Sequence, residues 1–258
     1  DLGIFAMKIK CSNIKQFADN QHITTNISPE NKTFSWIKDS YGNQLQVVQD
    51  NSWFRPNGSL TGGVLGVVIG VSDIDKALNL YQNVLQISEL VYDKTGIFED
   101  LKELGAGKKQ FRRVLLRKAM SKTGAFSRLL GNVEIELIQA IEGSPKTIFE
   151  GRSWGDLGFI HLCFDTPDMD TLKQKCKENG FPFTVDSKDG GETFDMGEAG
   201  GRFTYLEDPD GTLIEFVETH RVPILKKIGW YLNLKKRKTQ KPLPDWMVST
   251  MGWGKVKA

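Results

Sequence analysis

The sequence is poor in the residues that usually announce a function. Its 258 residues include three cysteines and three histidines. Cys11, Cys163 and Cys176 lie far apart and form no CxxC, which argues against a disulfide framework and against a cysteine zinc site. They read as reduced thiols in a cytoplasmic protein. No apolar run approaches the roughly 18 residues of a membrane span, and the first residues carry no secretory apolar segment. The stretch GAGKK (105–109) lacks the spacing of a P-loop. The chain opens on Asp1 rather than Met, as a trimmed chain or a fragment would.

What is present is globular in character. Hydrophobic residues make up 39% and charged residues 26%, which excludes global disorder, collagen and coiled coil. The net charge of +2 is unevenly placed. Residues 219–258 hold ten Lys and Arg against Asp245, a net of +9, and leave −7 on the remainder. A basic tail on a mildly acidic body reads as a separate element.

Internal similarity organises the body. LGVVIGVSDIDKAL (65–78) matches FIHLCFDTPDMDTL (159–172), with Asp73 opposite Asp168 and Asp75 opposite Asp170. Each is an apolar strand, an Asp N-cap and an amphipathic helix. GIFAMKIKCSNIKQF (3–17) fits the same plan. EDPDGTLIEFVE (207–218) matches KDSYGNQLQVVQ (38–49), each placing a glycine turn before an apolar strand. The chain thus reads as three βαβββ units, at 3–49, 64–141 and 157–218. NSWFRPNGSLTGG (51–63) is a linker, and a Gly-rich acidic loop occupies 187–200.

These units, with LYQNVL (80–85), an EIEL strand and an EDPDG-x-x-IEF ending, resemble the vicinal oxygen chelate superfamily. It includes glyoxalase I, methylmalonyl-CoA epimerase, bleomycin-resistance proteins and extradiol dioxygenases. The resemblance is good over 64–218 and weak over 3–50. It implies an α+β fold in which two βαβββ units make a cupped mixed sheet with helices outside. The expected domains are a partial, degenerate unit at 1–50 whose partner unit preceded Asp1 or comes from another chain, the linker 51–63, a complete domain at 64–218 and the tail 219–258.

The resemblance also implies a divalent metal in the cup, ligated from the first and last strands of each unit. Carried over, the four positions fall on Gly66, Glu136, His161 and Glu215. Three can ligate and Gly66 cannot. Strand alternation puts Glu136 and Glu215 on the face opposite their apolar neighbours. The set suits Zn, Ni, Co, Mn or Fe. In the N-terminal unit the corresponding positions are Ala6 and Gln46, which implies scaffolding there. His22 and His220 read as surface or loop residues, Tyr81 and Phe98 as core or cup lining. The loop 122–131, with Arg128, reads as a solvated connector that could instead cover the cup and meet an anionic substrate.

The expected activity is a metal-dependent lyase or isomerase that stabilises an enediolate or enolate, with Glu215 or Glu136 moving the proton. The alternative is a non-catalytic small-molecule binder of the bleomycin-resistance type. An extradiol dioxygenase ranks last, since its 2-His-1-carboxylate iron site would need a second His where Gly66 stands. The partner is a small-molecule substrate, without nucleic acid or membrane insertion, and a homodimer is compatible with it. In the tail, Pro223 and the stripe Ile224, Leu225, Ile228, Tyr231 and Leu232 predict a helix over 223–236 docked on the body.

Overall fold

The computed structural model describes residues 1–55, 58–190, 194–195, 200–225, 229–235 and 241–250. The chain divides into two compact units. The first holds Asp1–Ala119, Asn132–Leu162 and Glu207–Leu213; the second holds Met120–Gly131, Cys163–Leu206 and the chain from Ile214 onward.

The first unit is built on an eight-stranded mixed sheet. Its N-terminal half is β1 (Gly3–Cys11), α1 (Ile14–Gln21), β2 (Asn26–Ile27), β3 (Thr33–Lys38) and β4 (Gln44–Gln49). The other half repeats the plan as β5 (Thr61–Gly70), α2 (Ile74–Leu78), β6 (Glu89–Gly96), β7 (Phe111–Lys118) and β8 (Val133–Ala140). The spatial order is β2-β3-β4-β1-β5-β8-β7-β6. β1 runs antiparallel to β5, while β4 and β8 run parallel to β1 and β5. Central β5 is buried from Leu65 to Gly70, as an apolar run with neighbours on both sides should be.

Helix starts follow the capping signals. Asp73 accepts from the Asp75 and Lys76 N–H groups, and Asn13 from that of Gln16. After α2 the chain widens into a π-turn, Asn79–Val84, which buries Leu80, Tyr81 and Val84. Tyr81 lies in the core and donates to Asp208 Oδ2 at 2.9 Å. A 3₁₀ turn, Glu99–Leu104, lies between β6 and β7, and its Leu101 joins the core of Ala6, Phe34, Trp36, Val48, Leu65 and Val68.

Most of a second sheet lies in the second unit: β10 (Val185–Asp186), β12 (Gly200–Glu207), β13 (Leu213–Leu225) and β14 (Trp230–Asn233) in that order. β11 (Phe194–Asp195) pairs with β12, and β9 (His161–Asp165) with β13. Its helices are α3 (Ser127–Leu130), α4 (Met169–Glu178), capped by Asp168, and α5 (Asp245–Thr250).

Two expectations are corrected by the strand pairing. Residues 3–50 are not a partial unit: β1 takes the edge of β5, so 61–140 closes its sheet with 3–49 instead of with 157–218. The tail is not a helix over 223–236. Pro223 stays in β13 opposite Tyr231, with a bulge between Pro223 and Leu225, and Gly229 at φ 68° turns the chain back into β14. Branched and aromatic residues satisfy a strand as well as a helical stripe. Ile224 and Leu225 end β13, Tyr231 and Leu232 lie in β14, and Ile228, Lys226, Lys227, Lys236 and Trp253 lie outside the described residues. Part of the acidic loop 187–200, at 191–193 and 196–199, lies outside them as well. Among the described residues no helix is long and apolar enough to cross a membrane.

Candidate functional site

Glu134 and Glu136 share a face of β8, while Ile135 and Leu137 are buried on the other. Neighbouring strands bring cations to the two carboxylates. Glu136 Oε1 accepts from Arg113 Nε at 2.9 Å, Arg113 Nη2 at 2.5 Å and Tyr92 Oη at 2.7 Å. Lys8 Nζ lies 3.3 Å from Glu136 Oε2 and 3.1 Å from Glu134 Oε2. Arg113 Nη1 also reaches both oxygens of Asp100, at 2.7 and 2.8 Å, and its guanidinium carbon stands 4.7 Å from the centre of the Phe98 ring. Arg117 joins Glu134 at 2.7 Å to Glu30 at 2.9 Å, and Lys32 lies 3.4 Å from Glu30. Arg117 also lies 3.4 Å from the more exposed Glu89, so five carboxylates meet four cations.

Burial sets the direction of each shift until a partner outweighs it. Burial alone would raise the Glu136 carboxyl, but Arg113 and Lys8 bring it down to about 2. Glu134 is likewise lowered, with Lys8 and Arg117 overcoming burial. Asp100 goes up, because burial exceeds the pull of Arg113. The Tyr92 hydroxyl is pushed up by burial and by Glu136 beside it.

Gly66 faces Glu134 on β5, and a Cβ there would fall 1.7 Å from the Glu134 carbonyl oxygen. No side chain fits unless the backbone moves. His161 begins β9 and stacks on Trp154, ring centres 5.6 Å apart. Glu215 lies on β13 in the second unit, hydrogen-bonded with the Cys163 thiol and the Tyr205 hydroxyl. Cys163 is an exposed residue, yet burial of its thiol and the Glu215 charge push that group up to about 12. Cys11 and Cys176 are buried.

His22 is exposed and caps α1 in the left-handed region. His220 is buried on β13, its Nε2 2.9 Å from Glu218 Oε2, contrary to the surface position expected from sequence. Arg128 pairs with Asp245 at 2.7 Å within the second unit, so its charge is already engaged.

Among the described residues each unit shows a sizeable cavity. In the first, about 310 Å³ lies between the sheet and the Glu99–Leu104 turn, lined by Phe5, Val68, Leu101, Leu104, Phe111 and Ile138, with Lys109 and Glu142 also on its wall. The second unit has about 320 Å³ lined by Asp165, Thr166, Glu218, Thr219, Lys235 and Lys241. Burial and then Glu218 raise Asp165 to about 6.

The family model for the glyoxalase/bleomycin resistance protein/dioxygenase superfamily matches residues 66–205. The chain belongs to this superfamily. Solved structures share the fold. A mutant glyoxalase I from Zea mays aligns with TM-score 0.51 at 14% identity, over 84% of this chain and 67% of that one. A putative dioxygenase from Bacillus subtilis aligns with TM-score 0.51 at 12% identity, over 99% and 74%. Among curated proteins none matches the sequence.

Glyoxalase-like members of the superfamily typically use a divalent metal, but the donor set of the first sheet does not fit one. Glu136 already takes three hydrogen bonds on one oxygen and an ammonium on the other. Gly66 cannot be exchanged for a ligating side chain where it stands. Among the described residues, no three His, Cys, Asp or Glu side chains gather to hold an ion. Sequence reasoning named Glu136 as a metal ligand and did not name Arg113, Lys8 or Tyr92, which surround it. Alternation in FRRVLLRK and AMKIK, which puts Arg113 with Arg117 and Lys8 with Lys10, was the available signal.

Proposed function

We propose that the first unit binds a small, largely apolar molecule in the 310 Å³ cavity beneath the Glu99–Leu104 turn, without a metal. This corresponds to the bleomycin-resistance type of reading. The observation that carries it is the apolar cavity itself, walled by Leu101 and Leu104 of the turn whose Asp100 is held by Arg113 in the neutralised carboxylate cluster. Its volume lies at the lower end of small-molecule pockets, roughly 300–1,000 Å³. The two phenylalanines and four aliphatic side chains favour an aromatic or branched apolar group, and Lys109 and Glu142 would take a polar end.

Saturation-transfer NMR with benzene or indole, in EDTA, tests this. Binding is expected with the native chain and not with Leu104→Trp, whose side chain would fill the cavity. Binding of polar oxygen-chelating molecules only after a divalent ion is added would contradict it. That result would favour the metal-dependent lyase or isomerase, with Glu136, His161 and Glu215 as ligands and Glu215 or Glu136 as base.

A further inference from the structure

The buried ion cluster has a role that the cavity does not require. We infer that the first sheet carries its cation as side chains: Arg113 and Lys8 hold the carboxylate face that would otherwise hold a divalent ion. The inference goes beyond the ligand proposal and rests on the ion geometry alone, so failure to find a ligand leaves it standing.

Glu136 closes the second βαβββ repeat, at the place where the superfamily resemblance puts a metal ligand. Two bare carboxylates on one buried strand face are strongly unfavourable, because burial penalises each charge and the two repel. A cation must stand between them, and either an ion or a side chain can supply it. Here Lys8 Nζ lies between Glu134 and Glu136, 3.1 and 3.3 Å away, with its side chain 4% exposed. Arg113, fully buried, binds Glu136 on one side and Asp100 on the other. The planar guanidinium suits this bridging, since its five N–H groups fork toward two carboxylates at once. Trp36 Nε1 donates to the Asp100 carbonyl at 2.9 Å, tying the Glu99–Leu104 turn to the sheet beside the same cluster. Gly66 completes the picture, because a strand that approaches Glu134 this closely leaves no room for a ligating side chain.

Carboxylate oxygens suit Mg²⁺, Ca²⁺ and Mn²⁺ alike, and Mn²⁺ serves as the probe. Melting of the EDTA-treated full chain is followed with and without excess MnCl₂. The expected shift for the native chain is within about 1 °C, since nothing in the folded cup binds the ion. Arg113→Met should lower the melting temperature by at least about 6 °C, because it strands buried carboxylates. Arg113→Met with Glu136→Leu should recover part of that fall, since the Glu136 charge is gone and only Asp100 is left without its guanidinium. A Mn²⁺-dependent rise in the native chain that Glu136→Gln abolishes would overturn the inference. So would a double variant that falls as far as the two single variants together. If Arg113→Met does not fold, the native chain and Glu136→Gln decide the matter alone.

Discussion

Glu136 in the first unit and Asp165 in the second are both strand carboxylic acids largely removed from water. Glu136 is brought down to about 2 and Asp165 is raised to about 6. Burial pushes both upward; only Glu136 has Arg113 and Lys8 against it, while the neighbour that acts on Asp165 is another carboxylate, Glu218. The closing-strand carboxylates differ in the same sense. Glu136 is held by two cations, whereas Glu215 is met by a thiol and a phenol. Burial alone therefore says little about a carboxylate in this fold. The partner side chains decide whether it is a fixed structural charge or a group whose proton is exchangeable near neutral pH.

Substitutions can break this contrast. Lys8→Met should be the more damaging, by about 3 kcal/mol, because it leaves Glu134 and Glu136 short of a buried cation. The exposed pair of Lys76 and Asp73, 3.4 Å apart, gives the control, and Lys76→Met should stay within about 0.5 kcal/mol in the same urea titration. Equal effects from the two lysines would erase the distinction between the buried cluster and ordinary surface pairs.

Asp165→Asn should act in the opposite direction and more weakly. The folded Asp165 keeps its proton up to about 6, against 3.8 ordinarily. Its contribution to stability is thus present below about pH 3.8 and is lost as pH rises through 6, leaving a penalty at neutral pH. Removing the charge should gain on the order of 2 kcal/mol at pH 7 and flatten stability between pH 4 and 6. For Glu136 the sign reverses: its contribution is present above about 4.5 and is lost as pH falls toward 2. A pH profile of unfolding that is unchanged in Asp165→Asn would show that Asp165 is solvated after all.

Much of the fold was legible in local signals. Asp73 and Asp168 start helices as their spacing predicts, because an N-cap depends on a few neighbouring residues. The EDPDG turn likewise closes on itself, with Asp208 Oδ1 accepting from Asp210 and Thr212 N–H groups at 2.9 and 2.8 Å. What was not legible depends on pairing across the chain. Three similar repeats offer more than one way to join first strands, and the sequence of β5 is compatible with either neighbour; the β1 register decided it. The same holds for the candidate site. Glu136 is visible from its motif, but its cations come from β1 and β7, and strand register alone brings them within reach. His220 was misjudged because β13 continues well past the expected end of its strand.

The most direct test is a crystal structure of the full chain soaked in MnCl₂, read by anomalous scattering at the first sheet. The expected result is no manganese peak at Glu136, with Arg113 and Lys8 still in contact with its two oxygens. An ion within about 2.0–2.3 Å of a Glu136 oxygen, with Arg113 swung away, would contradict it.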